Sequence, residues 1–401
     1  MPSLSQAQQR HAAHYCLVLG EANALYLQGG DAILRGLKLF DDERANIEAG
    51  HDWAATQPLA DETVARLCYE YPNVGPYVLS LRQHARQRIG WLEAALAAAR
   101  RLKNREYEGA ALGNLGLAYA ELGESRRAIK FYEMYLAIAR EIGDRRGEGN
   151  ALCYFGNAYA DLGESRRAIE FYEKQLIIVR EIGDRRGEGA ALGNLGLAYA
   201  ALGETRRAIE RHEKALVVMR AIGDRKNKGS ILGNLGVAYA ALGETRRAIE
   251  FHEKALVIAS EIGDRHVEGN ALGNLGLAYA DLGETRRAIE CYEKHLVIVR
   301  EIGDRRGEGA ALGCLGLAYA ALGETRCAIE FYEMYLAIAR EIGDRRGEGN
   351  ALWNTSLLLD KPGERGQAIA HAEAALKIYE QVEDPNAVQV RRKLAEWRGE
   401  R

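Results

Sequence analysis

The chain has 401 residues, 47% of them hydrophobic and 28% charged, which is enough apolar material for several ordinary domains or one long repeat array. Its 54 Lys and Arg against 57 Asp and Glu leave a net charge of −3, which gives no overall attraction to nucleic acid or anionic membranes. No run of about 18 uninterrupted apolar residues occurs, so no membrane span is expected.

Residues 1–20 lack the basic segment, apolar stretch and small-residue cleavage site of a secretory signal, and a cytoplasmic location is expected. Residues 1–108 form a divergent region, with helices predicted at about 5–27, 31–56, 61–70 and 78–103. In the last of these, Ile89, Leu92 and Leu96 lie 40 residues before Ile129, Tyr132 and Leu136. From Gly109 onward a 40-residue period takes over. Glu141-Ile142-Gly143-Asp144-Arg145 recurs from Glu181, Ala221, Glu261, Glu301 and Glu341, without insertion. Six near-identical units fill 109–348. A weaker seventh covers about 349–388, and Pro385 opens a last helix to about Trp397, so 349–401 reads as a degenerate repeat with a capping helix.

Each unit reads as two helices, for example about Glu148 to Ala160 and Ser165 to Ile182. Gly163 suits the end of the first, and Ser165 (Thr205, Thr245, Thr285 or Thr325 elsewhere) is expected to cap the second. Asp184 is placed to cap the next unit's first helix. No proline interrupts the chain between Pro76 and Pro362. Leu112, Leu115, Tyr119 and Leu122 on the first helix, and Ala128, Ile129, Tyr132, Leu136 and Ala139 on the second, follow helical spacing. One pair cannot bury both of its sides alone; stacked pairs can. The expected fold is an all-α solenoid.

Leu112, Leu115-Gly116, Tyr119, Ala128 and Tyr132 match the tetratricopeptide pattern in six consecutive units, so the chain resembles that family. The resemblance implies a right-handed superhelix of antiparallel helix pairs. The 40-residue form is similar to the repeats of Pins-type cell-polarity adaptors, which bind peptides and partner proteins along the inner groove. Within 1–108, Asp41 to Ala49, Asp52-Trp53-Ala54 and Gly90 to Leu96 resemble the region joining the nucleotide-binding core to the repeat sensor in bacterial NB-ARC and MalT-like signalling ATPases. That likeness implies an alternative role as a sensor segment without its own ATPase domain.

Signs of catalysis are absent from the pattern. The nearest string to a phosphate loop, Gly223-Asp224-Arg225-Lys226-Asn227-Lys228-Gly229-Ser230, has the wrong spacing and no preceding strand. Gly147-Glu148-Gly149 enters a helix from another helix, not from a strand. Cys16, Cys68, Cys153, Cys291, Cys314 and Cys327 form no C-x-x-C pair, and His212, His252 and His295 stand where sister units mostly carry Tyr or Gln. Carboxylates such as Glu170 and Glu173 recur in unit after unit, as structural residues do. No enzyme activity, cofactor or metal is expected.

A binding function is best placed on the first helices. Asn114, Asn194, Asn234, Asn274 and Asn354 occupy one repeated position, which holds Tyr154 and Cys314 in the other two units. By the resemblance this position points into the groove, where an amide both donates to and accepts from a peptide backbone. Leu117, Leu197, Val237, Leu277 and Leu317 follow three residues later as an apolar floor, with Asn157 in their place in the second unit. The competing account has the asparagines bridging neighbouring helices. Gly113, Gly193, Gly233, Gly273 and Gly313 precede the ladder and are expected to admit a close backbone. Arg145, Arg185, Arg225, Arg265, Arg305 and Arg345 form a candidate basic ridge for acidic partner segments, against the simpler account of solvation and pairing with neighbours such as Asp144. The expected partner is a protein or peptide.

Overall fold

The computed structural model describes residues 3–57, 61–360 and 364–399; Pro362 and Gly363, expected to disturb the seventh unit, lie outside them. Twenty helices follow one another, with no strand among the described residues. The amino-terminal region holds α1 (Leu4–Gln28), α2 (Asp31–Thr56), α3 (Glu62–Val74), α4 (Pro76–Arg82) and α5 (Ala85–Arg101). Five first-and-second helix pairs come next: α6 (Arg105–Glu121) with α7 (Ser125–Glu141), α8 (Arg145–Asp161) with α9 (Ser165–Glu181), α10 (Arg185–Ala201) followed by α11 (Thr205–Ile222), α12 (Arg225–Ala241) with α13 (Thr245–Ile262), and α14 (Arg265–Asp281) with α15 (Thr285–Glu301). The series ends with α16 (Arg305–Ala321) and α17 (Thr325–Glu341), α18 (Arg345–Asp360) and α19 (Arg365–Gln381), then α20 (Asn386–Arg398). Residues 1–203 and 204–401 are two compact units, and each is an α-solenoid of stacked helix pairs.

The repeat's punctuation explains the regular helix lengths. Gly163 and Gly183, with φ of 75° and 70°, take the left-handed conformation that ends a helix in one residue and that a side chain disfavours. Asp184 then accepts the Gly187 N–H at 2.9 Å, and Asp144, Asp304 and Asp344 cap in the same way. This cap starts the first helix at Arg145, three residues ahead of the expected Glu148. The second helices differ from expectation. Ser165 and its threonine counterparts are the first helical residue, and Glu164 is the cap, without a capping hydrogen bond from its side chain. That carboxylate pairs forward with Arg167 instead, at 2.8 Å.

In the first unit, α1 to α5 enclose their own core around Leu19, Phe40, Ile47, Tyr71 and Trp91. Tyr71 donates its hydroxyl hydrogen to the Ala12 carbonyl at 2.8 Å, and His51 stacks on Trp91 at 3.9 Å. The helix expected over 78–103 is broken at Gln83, and His84 caps α5 by accepting the Arg86 N–H. The seam lies on α5: Trp91, Ala95 and Ala98 face the amino-terminal core, while Ile89, Leu92 and Leu96 face the core of α6 and α7.

Within a pair, the second helix lays an aromatic ring on the first. Tyr132, Tyr292 and Tyr332 pack against Gly116, Gly276 and Gly316. A side chain at Gly316 would sit 2.5 Å from the Tyr332 ring, so the Leu-Gly step of the motif is where the helices approach most closely. No neighbouring helix backbone makes the close approach expected at the preceding glycines. Gly113, Gly273 and Gly313 face the rings of Tyr135, His295 and Tyr335 at 3.2–3.3 Å, and Gly193 and Gly233 face nothing within 4 Å. In the second unit, Trp353, Tyr379, Val390 and Trp397 join α18, α19 and α20 into the terminal core.

Candidate protein-binding face

The asparagine and leucine positions occupy one helical face, because steps of three and four residues return to the same side of the helix. Asn114, Asn194, Asn234, Asn274 and Asn354 are half-buried, and Leu117 is half-buried too. Leu197, Val237, Leu277 and Leu317 are half exposed, at 51%, 51%, 50% and 56%. Within the second unit, the three aliphatic side chains of Val237, Leu277 and Leu317, in water at one repeated position, form a stripe of the kind that marks a contact surface. Asn157, at the same position as these leucines, is exposed and accepts a hydrogen bond from the Tyr172 hydroxyl at 2.8 Å.

The amides divide by unit. In the first unit, Asn114 Nδ2 donates to Asn73 Oδ1 at 3.2 Å, and Asn194 Nδ2 contacts Cys153 Sγ at 3.9 Å. Each bond reaches back 41 residues, which ties α6 to α3 and α10 to α8. In the second unit, the side chains of Asn234 and Asn274 have no hydrogen-bond partner among the described residues. A cavity of 110 Å³ lies beside the start of the face in the first unit, lined by Pro72, Pro76, Leu79, Trp91, Asn114 and Leu117.

All six ridge arginines are in ion pairs, and their partners are glutamates. Arg145 holds Glu148 at 2.5 Å and also binds Glu181. Arg265 and Arg305 repeat the arrangement with Glu268 and Glu301, and with Glu308 and Glu341. Arg185 pairs with Glu188, Arg225 with Glu261 and Arg345 with Glu348. The Asp144-type residues are spent on helix caps. From the previous second helix, Arg140 and Arg300 reach the same buried glutamates through Nε, at 2.8 and 2.7 Å. Burial pushes the Glu108 carboxyl up, but hydrogen bonds from Arg100 and Arg105 outweigh it and hold it below the usual carboxylate range. Each buried glutamate is therefore a clasp between consecutive helices. A second repeated device stacks Arg127, Arg247 and Arg287 on Tyr119, Tyr239 and Tyr279 at 4.2, 3.9 and 4.0 Å. Neither device stood out in the sequence; the signals were the fixed offsets of 8 residues from Arg140 to Glu148 and 36 from Arg145 to Glu181.

Burial pushes the Cys16 thiol up to about 12 and those of Cys68 and Cys153 to about 11, which disfavours the thiolate that a nucleophile needs. Among the described residues, no group of three His, Cys, Asp or Glu is placed to hold a metal ion. No helix among them is long and apolar enough to cross a membrane.

A tetratricopeptide repeat model matches residues 89–141, 147–221, 227–301 and 307–381. The chain belongs to the tetratricopeptide repeat family. The match begins inside α5, on the half of that helix that faces α6. No curated protein sequence matches the chain. Among solved structures, the tetratricopeptide repeat family fold is shared with the signal transduction ATPase with numerous domains PH0952 from Pyrococcus horikoshii, which has a tetratricopeptide repeat sensor. The two are 16% identical with a TM-score of 0.65, over 98% of this chain and 68% of that one. Aspartyl phosphate phosphatase F from Bacillus subtilis is 12% identical with a TM-score of 0.55, covering 96% of each chain. BtubC from P. vanneervenii is 24% identical with a TM-score of 0.50, over 55% of this chain and 92% of that one. As a tetratricopeptide repeat protein, the chain is a protein-interaction scaffold.

Proposed function

We propose that the protein binds an extended segment of a partner protein on the first helices, centred on α12, α14 and α16 of the second unit. The observation that carries this reading is the pair of half-buried amides of Asn234 and Asn274, which have no side-chain partner among the described residues and lie beside the exposed Val237, Leu277 and Leu317. An unpaired amide in a partly dry setting gains from a peptide backbone, which offers both a donor and an acceptor. The aliphatic stripe supplies area, and the amides supply register without demanding one sequence. No catalytic step is assigned to the protein.

Affinity capture from the native cell followed by mass spectrometry supplies the partner, and Asn234→Ala with Asn274→Ala tests the site. The double variant is expected to bind that partner at least about tenfold more weakly, given about 1 kcal/mol for each lost hydrogen bond. Unchanged affinity with unchanged helicity overturns the site.

A second reading, as the sensor segment of an ATPase signalling system, draws support from the likeness to PH0952, which extends through α1 to α5. It requires an ATPase of that class to co-purify with the full chain; capture that recovers other partners and no such ATPase counts against it.

A further inference from the structure

One repeat replaces the buried glutamate of the clasp and reverses its charge. Arg100, Arg140, Arg180, Arg300 and Arg340 each direct Nε to a buried glutamate at 2.7–2.9 Å. The equivalent arginine in the remaining clasp of this series with an arginine is Arg220, and the position opposite it holds Lys228. Helix α12 consequently has no acidic residue in its first turn, where α8, α10, α14, α16 and α18 each have a glutamate. Arg220, Arg225 and Lys228 line one cleft of about 610 Å³.

The cleft's own acids are already engaged. Glu261 pairs with Arg225, Glu250 with Lys254 at 4.0 Å, and Glu253 accepts from the Tyr279 hydroxyl at 3.1 Å. Among the described residues, neither Arg220 nor Lys228 has an ion-pair or side-chain hydrogen-bond partner. The cleft's four cations outnumber its three carboxylates by one, and Lys228 sits at the positive end of the α12 macrodipole, in the place where sister units seat a carboxylate. A single carboxylate would pair with only one of Arg220 and Lys228. A phosphate group, close to a dianion at neutral pH and rich in acceptor oxygens, matches both.

We propose that Arg220, Arg225 and Lys228 form a binding site for a phosphate group, with guanidinium and ammonium groups supplying the contacts. The segment Gly223 to Ser230 contributes here through its cations and not through a backbone loop. The site lies on the other side of α12 from Asn234 and is independent of the proposed binding face.

The test is calorimetric titration of inorganic phosphate, and separately of O-phosphoserine, into the full chain at pH 7.5 and constant ionic strength. Saturable binding is expected with the wild-type protein. Binding should weaken about tenfold or more in Arg220→Gln, which removes one charged contact, and in Lys228→Glu, which restores the sister units' carboxylate to the seat. Tighter binding of O-phosphoserine points to a group carried on a protein side chain, and binding of phosphate alone to the free ion; both support the site. No saturable binding, or equal binding in wild type and both variants, overturns it.

Discussion

Acidification from pH 7 to pH 4 is expected to loosen the second unit around α11 to α13 before the carboxylates titrate. His212 and His252 are each 1% exposed, and burial pushes both imidazoles down to about 4. Their Nδ1 atoms have no hydrogen-bond partner among the described residues. Above pH 6.5 both rings are neutral folded or unfolded, so they contribute no pH dependence. As pH falls below 6.5 the unfolded chain takes up protons that the folded chain refuses until about pH 4. Stability therefore declines across that window, by on the order of 3 kcal/mol for each histidine at its lower end. Two such losses are a large part of the 5–15 kcal/mol typical of a domain. Sister units carry Tyr132, Tyr172, Tyr292 and Tyr332 at this position, so the double variant His212→Tyr with His252→Tyr should keep the packing and remove the effect. Hydrogen exchange of α11 and α13 amides at pH 7 and pH 4.5 reads it directly, since a long array opens in parts. Equal protection at both pH values in the wild-type protein would sink the argument.

The same two histidines show what a linear reading captures. Their place in the repeat was evident, where sister units carry Tyr, but core and surface were equally open for them until the structure showed both rings buried. The 40-residue period, the glycine helix ends and the Asp184-type caps were equally legible, because each depends on a few neighbouring residues. Ser165 misled because serine before an amphipathic run usually caps; here Glu164 occupies that place and is drawn to Arg167 at 2.8 Å. The break at Gln83 and His84 escaped because the apolar spacing runs on through it. The amides were harder still. Asn114 and Asn274 occupy one repeat position, yet Asn114 is bound to Asn73 whereas the residue 41 positions before Asn274 is Gly233, which has no side chain to bind, so their difference lies in the preceding repeat and not in their own.

Near-identity of the repeats also turns each departure into information. The array has few ways to hold adjacent helices together: rings on glycines, arginines on buried glutamates, and arginines on tyrosines. A residue that breaks one of these must be accommodated by a local neighbour, as Ser260 does by donating to Glu268 at 2.8 Å in place of an arginine. Among the described residues, Lys228 has no such accommodation.

Two glycines three residues apart in the repeat are expected to respond to alanine in opposite directions. At Gly316 a methyl group would meet the Tyr332 ring at 2.5 Å, and Tyr332 is only 2% exposed, so the ring has nowhere to retreat. Overpacking of this kind costs about 1–3 kcal/mol, which exceeds the gain of about 1 kcal/mol from alanine's better helix propensity. Gly316→Ala should therefore destabilise the second unit by about 1–2 kcal/mol. At Gly233 nothing lies within 4 Å, because the facing residue is Ala255 where sister units place Tyr135, His295 or Tyr335. Gly233→Ala meets no atom and recovers the backbone entropy, so it should stabilise by up to about 1 kcal/mol. Urea unfolding followed by circular dichroism at 222 nm compares the two. If Gly316→Ala were neutral, the ring-on-glycine contact would not set the approach of the paired helices. If Gly233→Ala were destabilising, the repeated glycine before the asparagine ladder would be held by a constraint other than space.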